Sequence, residues 1–528
     1  MSLPLILLLA LPLIHMATLP KLFQRAGIPA WHGLVPGLNY WSWLGMLKRP
    51  KHWILPLLFP GPNLIMVSIL HVETGIAFGK RKTAEQWFMG ALPWVGMFTL
   101  AYRGDDAFVG PRNWEGKKKG MAREWSEAIL WATVVASLIR GYLFEAFTIP
   151  TASMEDSMLV GDYLVVSKMS YGPKVPETPL SLPFVHNAIP GTHLRSSYLD
   201  WVEIPYTRLP GFGEVDRYDA VVFNFPNGDT VVVDSYLAGH DYHALVRQRA
   251  IGFAGGDPVA YEADKGRFDA LARKEWGRTH GIKARPVDKK EHYVKRCVGL
   301  PGEDLAIVNR ELVIDGQVVD SPPGLQFNYL VQLKREADLR VLRQRLELTD
   351  IDILGTVGGG THIMALREDE AAMLMEQGLV ADVQPYDPTS RRGTLDMYPN
   401  TNAFDFASWD LDNYGPIHLP AAGETIDLTP RNIALYKRVI TAYEGHELEV
   451  DGDAVRIDGV PATQYTFEQG YYWLMGDNRH SSADSRYWGF VPEDHVVGRA
   501  AFTWFSKMNE AQHGESGIRW DRMFKAVR

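Results

Sequence analysis

A chain of 528 residues is long enough for several domains, so no single core has to organise all of it. Its 54 basic and 63 acidic residues leave a net charge of −9, which argues against nucleic acid as the main partner, because no basic surplus exists to neutralise phosphates. The single cysteine, Cys297, excludes an intramolecular disulfide, although a large core can stand in an extracytoplasmic compartment without one.

The apolar residues are concentrated before residue 148. Residues 3–18 form an uncharged apolar run with no basic leader and no clear Ala-x-Ala site, which reads as a retained membrane helix in preference to a cleaved signal peptide. Between 19 and 51, Lys21, Arg25, Lys48, Arg49 and Lys51 mingle with Trp31, Tyr40, Trp41 and Trp43, a mixture suited to a membrane interface. Apolar runs follow at 52–72 and 87–102; the first is interrupted at Pro60-Gly61-Pro62 and reads as a broken or re-entrant span. A fourth, 128–147, has about 20 residues, enough to cross a hydrocarbon core, with Arg140 placed to snorkel to the headgroups. The loop before it carries Arg103, Arg112, Lys117, Lys118, Lys119 and Arg123, and the positive-inside rule assigns that loop to the cytoplasm. The expected arrangement is a multi-spanning region over 1–123 and a last transmembrane helix over 124–147, with all later residues extracytoplasmic. Upstream the rule gives no consistent topology, since alternating three spans leaves Lys80, Arg81 and Lys82 outside.

Directly after the fourth run comes Phe147-Thr148-Ile149-Pro150-Thr151-Ala152-Ser153-Met154. Pro150 lacks an N–H and biases Ile149 toward an extended conformation, so no helix runs on. Thr151 and Ser153 stand two apart, a spacing that puts both hydroxyls on one face of a strand. From here short β-like runs dominate, among them 163–166, 220–223, 292–298 and 472–475, bounded by Gly, Pro and Asp. An internal echo links Tyr293-Val294-Lys295-Arg296 to Leu435-Tyr436-Lys437-Arg438, each followed by a strand ending in an Asp-Gly hairpin signal, at Asp315-Gly316 and Asp458-Gly459. The echo predicts strand, turn and strand in both copies. Two insertions interrupt the β pattern. Residues 173–215, rich in Pro and aromatics, read as a surface excursion; 320–430 contain helix-like stretches at 330–348 and at 368–378, the second ending in a Gly C-cap signal.

A serine hydroxyl is a poor nucleophile and needs a base within hydrogen-bond reach. The chain holds 16 His, yet none sits in a G-x-S-x-G elbow, and no H-E-x-x-H is present. Lysine serves instead when desolvation favours its neutral amine. Tyr293, Val294, Cys297 and Val298 give Lys295 the apolar neighbourhood that such a shift requires. Lys437 is the rival lysine by the echo, but only the first copy continues as Val298-Gly299-Leu300-Pro301-Gly302.

Three stretches in order, the one around Ser153-Met154, Lys295-Arg296-Cys297-Val298-Gly299-Leu300-Pro301-Gly302, and Gly476-Asp477-Asn478-Arg479-His480-Ser481-Ser482-Ala483-Asp484-Ser485-Arg486, resemble bacterial type I signal peptidase, a membrane-bound Ser/Lys protease family. The N-terminal part looks like the multi-spanning extension of the Bacteroidetes kind. The resemblance implies Ser153 as nucleophile, Lys295 as general base, Ser482 as the residue orienting Lys295, and an oxyanion hole made by the Ser153 N–H and the Thr151 hydroxyl. Phe147, Ile149, Met154, Met158, Tyr293 and Val294 match or adjoin the family's pocket positions, implying cleavage after small residues in an Ala-x-Ala pattern. Arg296 with Asp477, and Asp484 with Arg486, look like structural ion pairs. Relatives often carry Pro where this chain has Asp156, and Asp where it has His480.

The resulting expectation is a membrane-anchored protein: N-terminal transmembrane helices, then a mainly-β antiparallel catalytic domain (148–319 and 431–528) with an inserted α/β subdomain (320–430). Its partners by this reading are exported preproteins and membrane lipid, with the secretion machinery in reach, at the inner membrane and with the catalytic domain on the periplasmic side. No metal or cofactor is required. The rival reading is an inactive, membrane-anchored paralogue that binds signal peptides without cutting them; intact Ser153, Lys295 and Ser482 argue against it.

Overall fold

A computed structural model describes residues 3–104, 106–112, 120–192, 194–334, 352–376, 378, 380–386, 395–452, 454–508 and 516–527. Two compact units emerge, one of Met1–Leu143 with Pro173–Leu209, the other of Phe144–Gly172 with Pro210–Arg528. The boundary falls four residues earlier than the expected end of the last apolar helix, and the excursion after residue 172 groups with the N-terminal part.

In the first unit the apolar runs at 52–72 and 87–102 form helices that proline and glycine cut short, whereas Leu3–Arg25 is one helix that contains Pro12 and Pro20. Helix Pro62–Ala77 begins only after the break expected at Pro60-Gly61-Pro62, with Gly61 at φ +91° and Pro62 as its first residue. The run at 87–102 divides into Thr83–Ala91 and Pro93–Phe98, with Pro93 starting the second piece. Leu19, Phe23, Trp43, Leu70, Phe78 and Met97 share this unit's core. Among the described residues no helix is long and apolar enough to cross a membrane. Lys117, Lys118 and Lys119, on which part of the charge argument rests, lie outside the described residues. Residues 174–208 fold back on themselves through isolated bridges such as Lys174 to Arg208 and Ser181 to Tyr198.

The fourth run does not stay helical to residue 147. Helix Met121–Leu138 passes through a π-helical turn, Ile139–Leu143, and the chain then becomes strand Phe144–Thr148 (β1). The reason lies in the residues: Phe144, Phe147 and Thr148 favour extended backbone, and the acidic Glu145 is paired with Lys168 at 2.7 Å.

The second unit is built on one antiparallel sheet. Besides β1 it contains Asp162–Ser167 (β2), Ala220–Asn224 (β3), His292–Gly299 (β4), Tyr471–Met475 (β5), Val491–Pro492 (β6) and Val496–Met508 (β7), in the order β1-β2-β7-β3-β4-β5-β6. β2 alternates buried and half-buried residues as a strand with one covered face should, while β3, buried throughout, is central. β4 lies between β3 and β5, with Lys295 opposite Val221 and Arg296 opposite Met475. Smaller sheets surround this one. Gln326–Leu333, Ile353–Gly358, Thr361–Arg367 and Val380–Pro385 form four antiparallel strands under helix Glu368–Glu376, an α/β arrangement with its own core around Val331, Met364, Leu366 and Leu374. Gly378 follows that helix at φ +65°.

Two expectations fail here. Residues 330–333, expected to open a helix, belong to a strand; the helical spacing was a count of charges, and the rest of that stretch (335–348) lies outside the described residues. The echo also breaks. Leu435-Tyr436-Lys437-Arg438 is the end of helix Pro430–Arg438, whose start is set by Thr429 accepting from the Asn432 N–H and by Pro430 at its first position. What the two copies do share is the hairpin: Asp315 and Gly316 stand at φ +50° and +77°, Asp458 and Gly459 at +51° and +76°, the left-handed pair that a type I′ turn requires. A helical segment not expected at all, Tyr242–Phe253, Pro258–Ala263 and Lys265–Thr279, follows β3; its signals are Asp241, which accepts from the His243 and Ala244 N–H groups, and the Asp257-Pro258 start.

Candidate active site

β1 ends where its backbone pairing runs out. The ladder to β2 continues to Ile149, which donates to the Asp162 carbonyl and accepts from the Gly161 N–H, both at 2.9 Å; Pro150 then has no N–H to extend it. Thr151 is extended (φ −135°, ψ 154°), and Ala152–Met154 make a single 3₁₀ turn, so the two hydroxyls face each other across a turn and not along a strand. Thr151 Oγ1 lies 3.4 Å from Ser153 Oγ. Met154, 1% exposed, pins the turn to the interior, leaving Ser153 half-buried beside it.

Lys295 comes from the middle of the sheet. Its Nζ donates to Ser153 Oγ at 2.5 Å, across 142 residues of sequence. The lysine is 2% exposed, and burial pulls its ammonium from the ordinary 10.5 down to about 8; Asp484 and Asp477 oppose that shift and Arg486 adds to it. The opposition is limited because both carboxylates are already engaged by arginines.

Those arginines fasten the third stretch. Arg296 grips Asp477 through Nε and Nη2 at 2.7 and 2.6 Å, and also donates to the Tyr218 carbonyl and to Ser157 Oγ. Arg486 grips Asp484 at 2.9 and 2.8 Å, and Asp484 in turn accepts from the Gly476 N–H. All four side chains are buried, so each pair satisfies charges that would otherwise be stranded away from water. The backbone between them reaches Ser153: the Asn478 N–H donates to the Ser153 carbonyl at 3.2 Å. A Cβ on Gly476 would stand 2.2 Å from Ser482 Oγ and 2.5 Å from the Ser153 carbonyl oxygen, so only glycine allows this approach. Ser482 is buried beside it, and its hydroxyl has no hydrogen-bond partner among the described residues; the expected bond to Lys295 is not made in this state.

The six apolar residues expected to line a pocket divide between packing clusters. Ile149, Met154, Met158 and Val294 come together with Leu164 and Ala220, and Phe147 packs, as Val294 also does, against Val166, Val222 and Val497. Tyr293 is not among them: it faces Phe223, Phe225 and Trp488 on the other side of its strand, with the Phe225 ring 4.6 Å away. Alternation along β4 is the cause, since neighbours 293 and 294 must point to opposite faces.

Both departures from the family pattern have local accounts. Asp156 stands at φ +73°, which a proline ring cannot adopt, and its carboxylate pairs with Arg367 at 3.1 Å. His480 is buried; Nδ1 accepts from the Asn328 N–H at 3.2 Å and Nε2 donates to Asp412 at 2.6 Å. Burial holds its pKa below the ordinary value, although Asp412 opposes this. The same edge is stitched further by Gln326, which donates to the Asp477 carbonyl at 3.0 Å and accepts from the Arg479 N–H at 2.8 Å. Sequence reasoning missed Glu155. It is buried two residues beyond Ser153, and burial, reinforced by Asp352, pushes its carboxyl up to about 8 against the pull of Arg519 and Arg522. No periodicity marks a lone Glu in a turn as buried, so the signal was not available.

An accessible serine against a desolvated amine, carried by an antiparallel β scaffold, is the equipment of a serine hydrolase, and that is the class the fold and site define. The family model for signal peptidase, peptidase S26, matches residues 122–352 and 462–505, and a family of unknown function matches 31–111. Signal peptidase I of Haemophilus influenzae is 24% identical over 408 residues, covering 77% of this chain and 76% of its own. Signal peptidase I of Buchnera aphidicola subsp. Baizongia pistaciae is 44% identical over 397 residues, 74% of this chain and 79% of its own. The chain belongs to the signal peptidase family, peptidase S26, and is a serine endopeptidase.

Proposed function

We propose that the protein removes N-terminal signal peptides from exported preproteins, cutting after small residues in an Ala-x-Ala pattern, with Ser153 as nucleophile and Lys295 as general base. The observation that carries this is the 2.5 Å contact between the Lys295 amine and the Ser153 hydroxyl at a buried site. Ser153 Oγ attacks the scissile carbonyl and gives its proton to Nζ; the oxyanion is met by the Ser153 N–H and the Thr151 hydroxyl. Lys295 returns the proton to the departing amine as the C–N bond breaks, and water then hydrolyses the serine ester with the same lysine as base. Ser482, buried next to Ser153 and without a hydrogen-bond partner among the described residues, takes up the lysine when it is protonated and turns from Ser153. The free edge of β1 supports binding of the peptide as an added strand, with Ile149, Met154 and Val294 limiting side-chain size.

A membrane location fits the first unit's exposed apolar side chains, among them Leu58, Trp87, Met121 and Trp125, each more than 60% exposed. On this reading the protein sits at the inner membrane with the second unit on the periplasmic side; flotation with lipid vesicles tests the membrane part. The reaction is tested by incubating a preprotein bearing an Ala-x-Ala site with detergent-solubilised protein. Wild type and Lys437→Ala should cut, and Lys295→Ala should not. Cutting by Lys295→Ala would remove the proposed base, and no cutting by folded wild type on several such substrates would remove the function.

A further inference from the structure

Away from Ser153, the second unit contains a cavity of about 330 Å³, at the lower end of the range for small-molecule sites (~300–1,000 Å³). One wall is the unexpected helical segment, through Arg247, Lys265 and Arg273; the other is helix Pro430–Arg438, through Lys437 and Arg438. Five cations therefore line it against one carboxylate, Asp269, in a chain whose net charge is −9.

Two of the five are compensated. Lys265 pairs with Asp269 at 3.3 Å, and Arg438 pairs with Asp229 at 3.2 Å while also contacting His243. The other three, Arg247, Arg273 and Lys437, make no hydrogen bond or ion pair among the described residues. Arg247 is only 9% exposed and stands in the cavity wall with no counter-ion among the described residues. Trp488, which also lines the cavity, has a buried Nε1–H with no acceptor among the described residues. A cavity whose walls hold spare donors and uncompensated positive charge is built for an anion with several acceptor oxygens.

We propose that this cavity binds an organic phosphate. Guanidinium groups and an ammonium converging on one space match the charge and oxygen count of a phosphate ester, and the Tyr398 and Trp488 rings offer an apolar wall to its organic part. The site adjoins the catalytic scaffold, since Trp488 packs against Tyr293 at 5.6 Å between ring centres, two residues from Lys295. Phosphate esters reach the protein either as soluble molecules or as lipid headgroups.

The test is titration calorimetry of the full chain in non-ionic detergent with inorganic phosphate and with glycerol phosphate, beside co-sedimentation with phosphatidylglycerol and with phosphatidylcholine vesicles. Saturable binding of a soluble phosphate that weakens with added salt supports the site and a soluble source. A preference for phosphatidylglycerol vesicles that disappears in Lys437→Gln, without soluble binding, supports the site and a lipid source. Arg247→Gln and Lys437→Gln should each weaken binding roughly tenfold or more. Lys437 is exposed, so its variant decides the matter if Arg247→Gln does not fold. Binding unchanged in Lys437→Gln, or no binding by any of these probes, overturns the proposal.

Discussion

The Lys295→Met variant tests whether burial, and not sequence position alone, makes the lysine a base. In the folded protein the amine loses its proton near 8, against 10.5 when exposed, a depression worth roughly 3 kcal/mol. Because the unfolded chain holds that extra proton between about 8 and 10.5, stability rises with pH across this window. The penalty is present in full below about 8 and gone above 10.5. Methionine has similar reach and no charge, so at pH 7 the variant should be more stable by up to about 3 kcal/mol, less whatever the Ser153 contact contributes. The gain should shrink toward zero as pH climbs past 10. Activity should move the other way: the variant is inactive, and wild-type kcat/KM rises with pH through about 8, since roughly a tenth of the amine is neutral at pH 7 where an exposed lysine would have about three in ten thousand. Denaturant unfolding of both proteins at a series of pH values, beside a peptide-cleavage pH profile, measures both effects. A variant less stable than wild type at pH 7, with a pH-independent difference, would refute the reasoning.

Substitutions at three other positions probe the neighbouring geometry. Ser482→Ala removes a buried hydroxyl that lacks a partner among the described residues, so it should raise stability by about 1 kcal/mol while lowering turnover and shifting the pH–rate profile; lost stability with normal turnover would contradict this. Gly476→Ala drives a methyl into Ser482 Oγ and the Ser153 carbonyl, and should cost about 1–3 kcal/mol in denaturant unfolding and about a hundredfold in rate. Asp156→Pro places the family's common residue where φ is +73°, and should destabilise by more than about 1 kcal/mol, whereas Asp156→Gly keeps the backbone conformation and should cost less; unfolding midpoints of the two variants decide.

The site was more legible in the sequence than the frame around it. Ser153, Lys295 and the stretch 476–486 could be read because their chemistry depends on residue type and spacing, and the sheet brings Lys295 to Ser153 while the third stretch clamps the serine's own carbonyl. Hairpins at Asp315-Gly316 and Asp458-Gly459 were legible for a similar reason, as left-handed backbone restricts residue choice. Residues 435–438 were misread as a strand because a four-residue likeness says nothing about the helix start at Thr429-Pro430 just before them. Residues 144–147 were misread because an apolar run fits a helix or a strand, and the partner that decides, β2, comes later in the chain. Tyr293 was assigned to the pocket by position in a motif, which ignores the alternation of strand faces.

The stitching of strand Gln326–Leu333 to residues 477–480 gives the insertion a standing that its position in sequence conceals. Gln326 exchanges backbone bonds with both Asp477 and Arg479, and Asn328 donates to the ring of His480, so the first strand of the α/β insert is continuous in hydrogen bonding with the loop that holds Ser153. Segments joined in this way open together, as one foldon. Amides of 326–328 and 477–480 should then exchange with solvent at a common rate, and loosening the insert would loosen Ser153. Trimming the far end of the insert should therefore leave Ser153 in place, whereas a change that breaks the Gln326 or Asn328 bonds should disturb it.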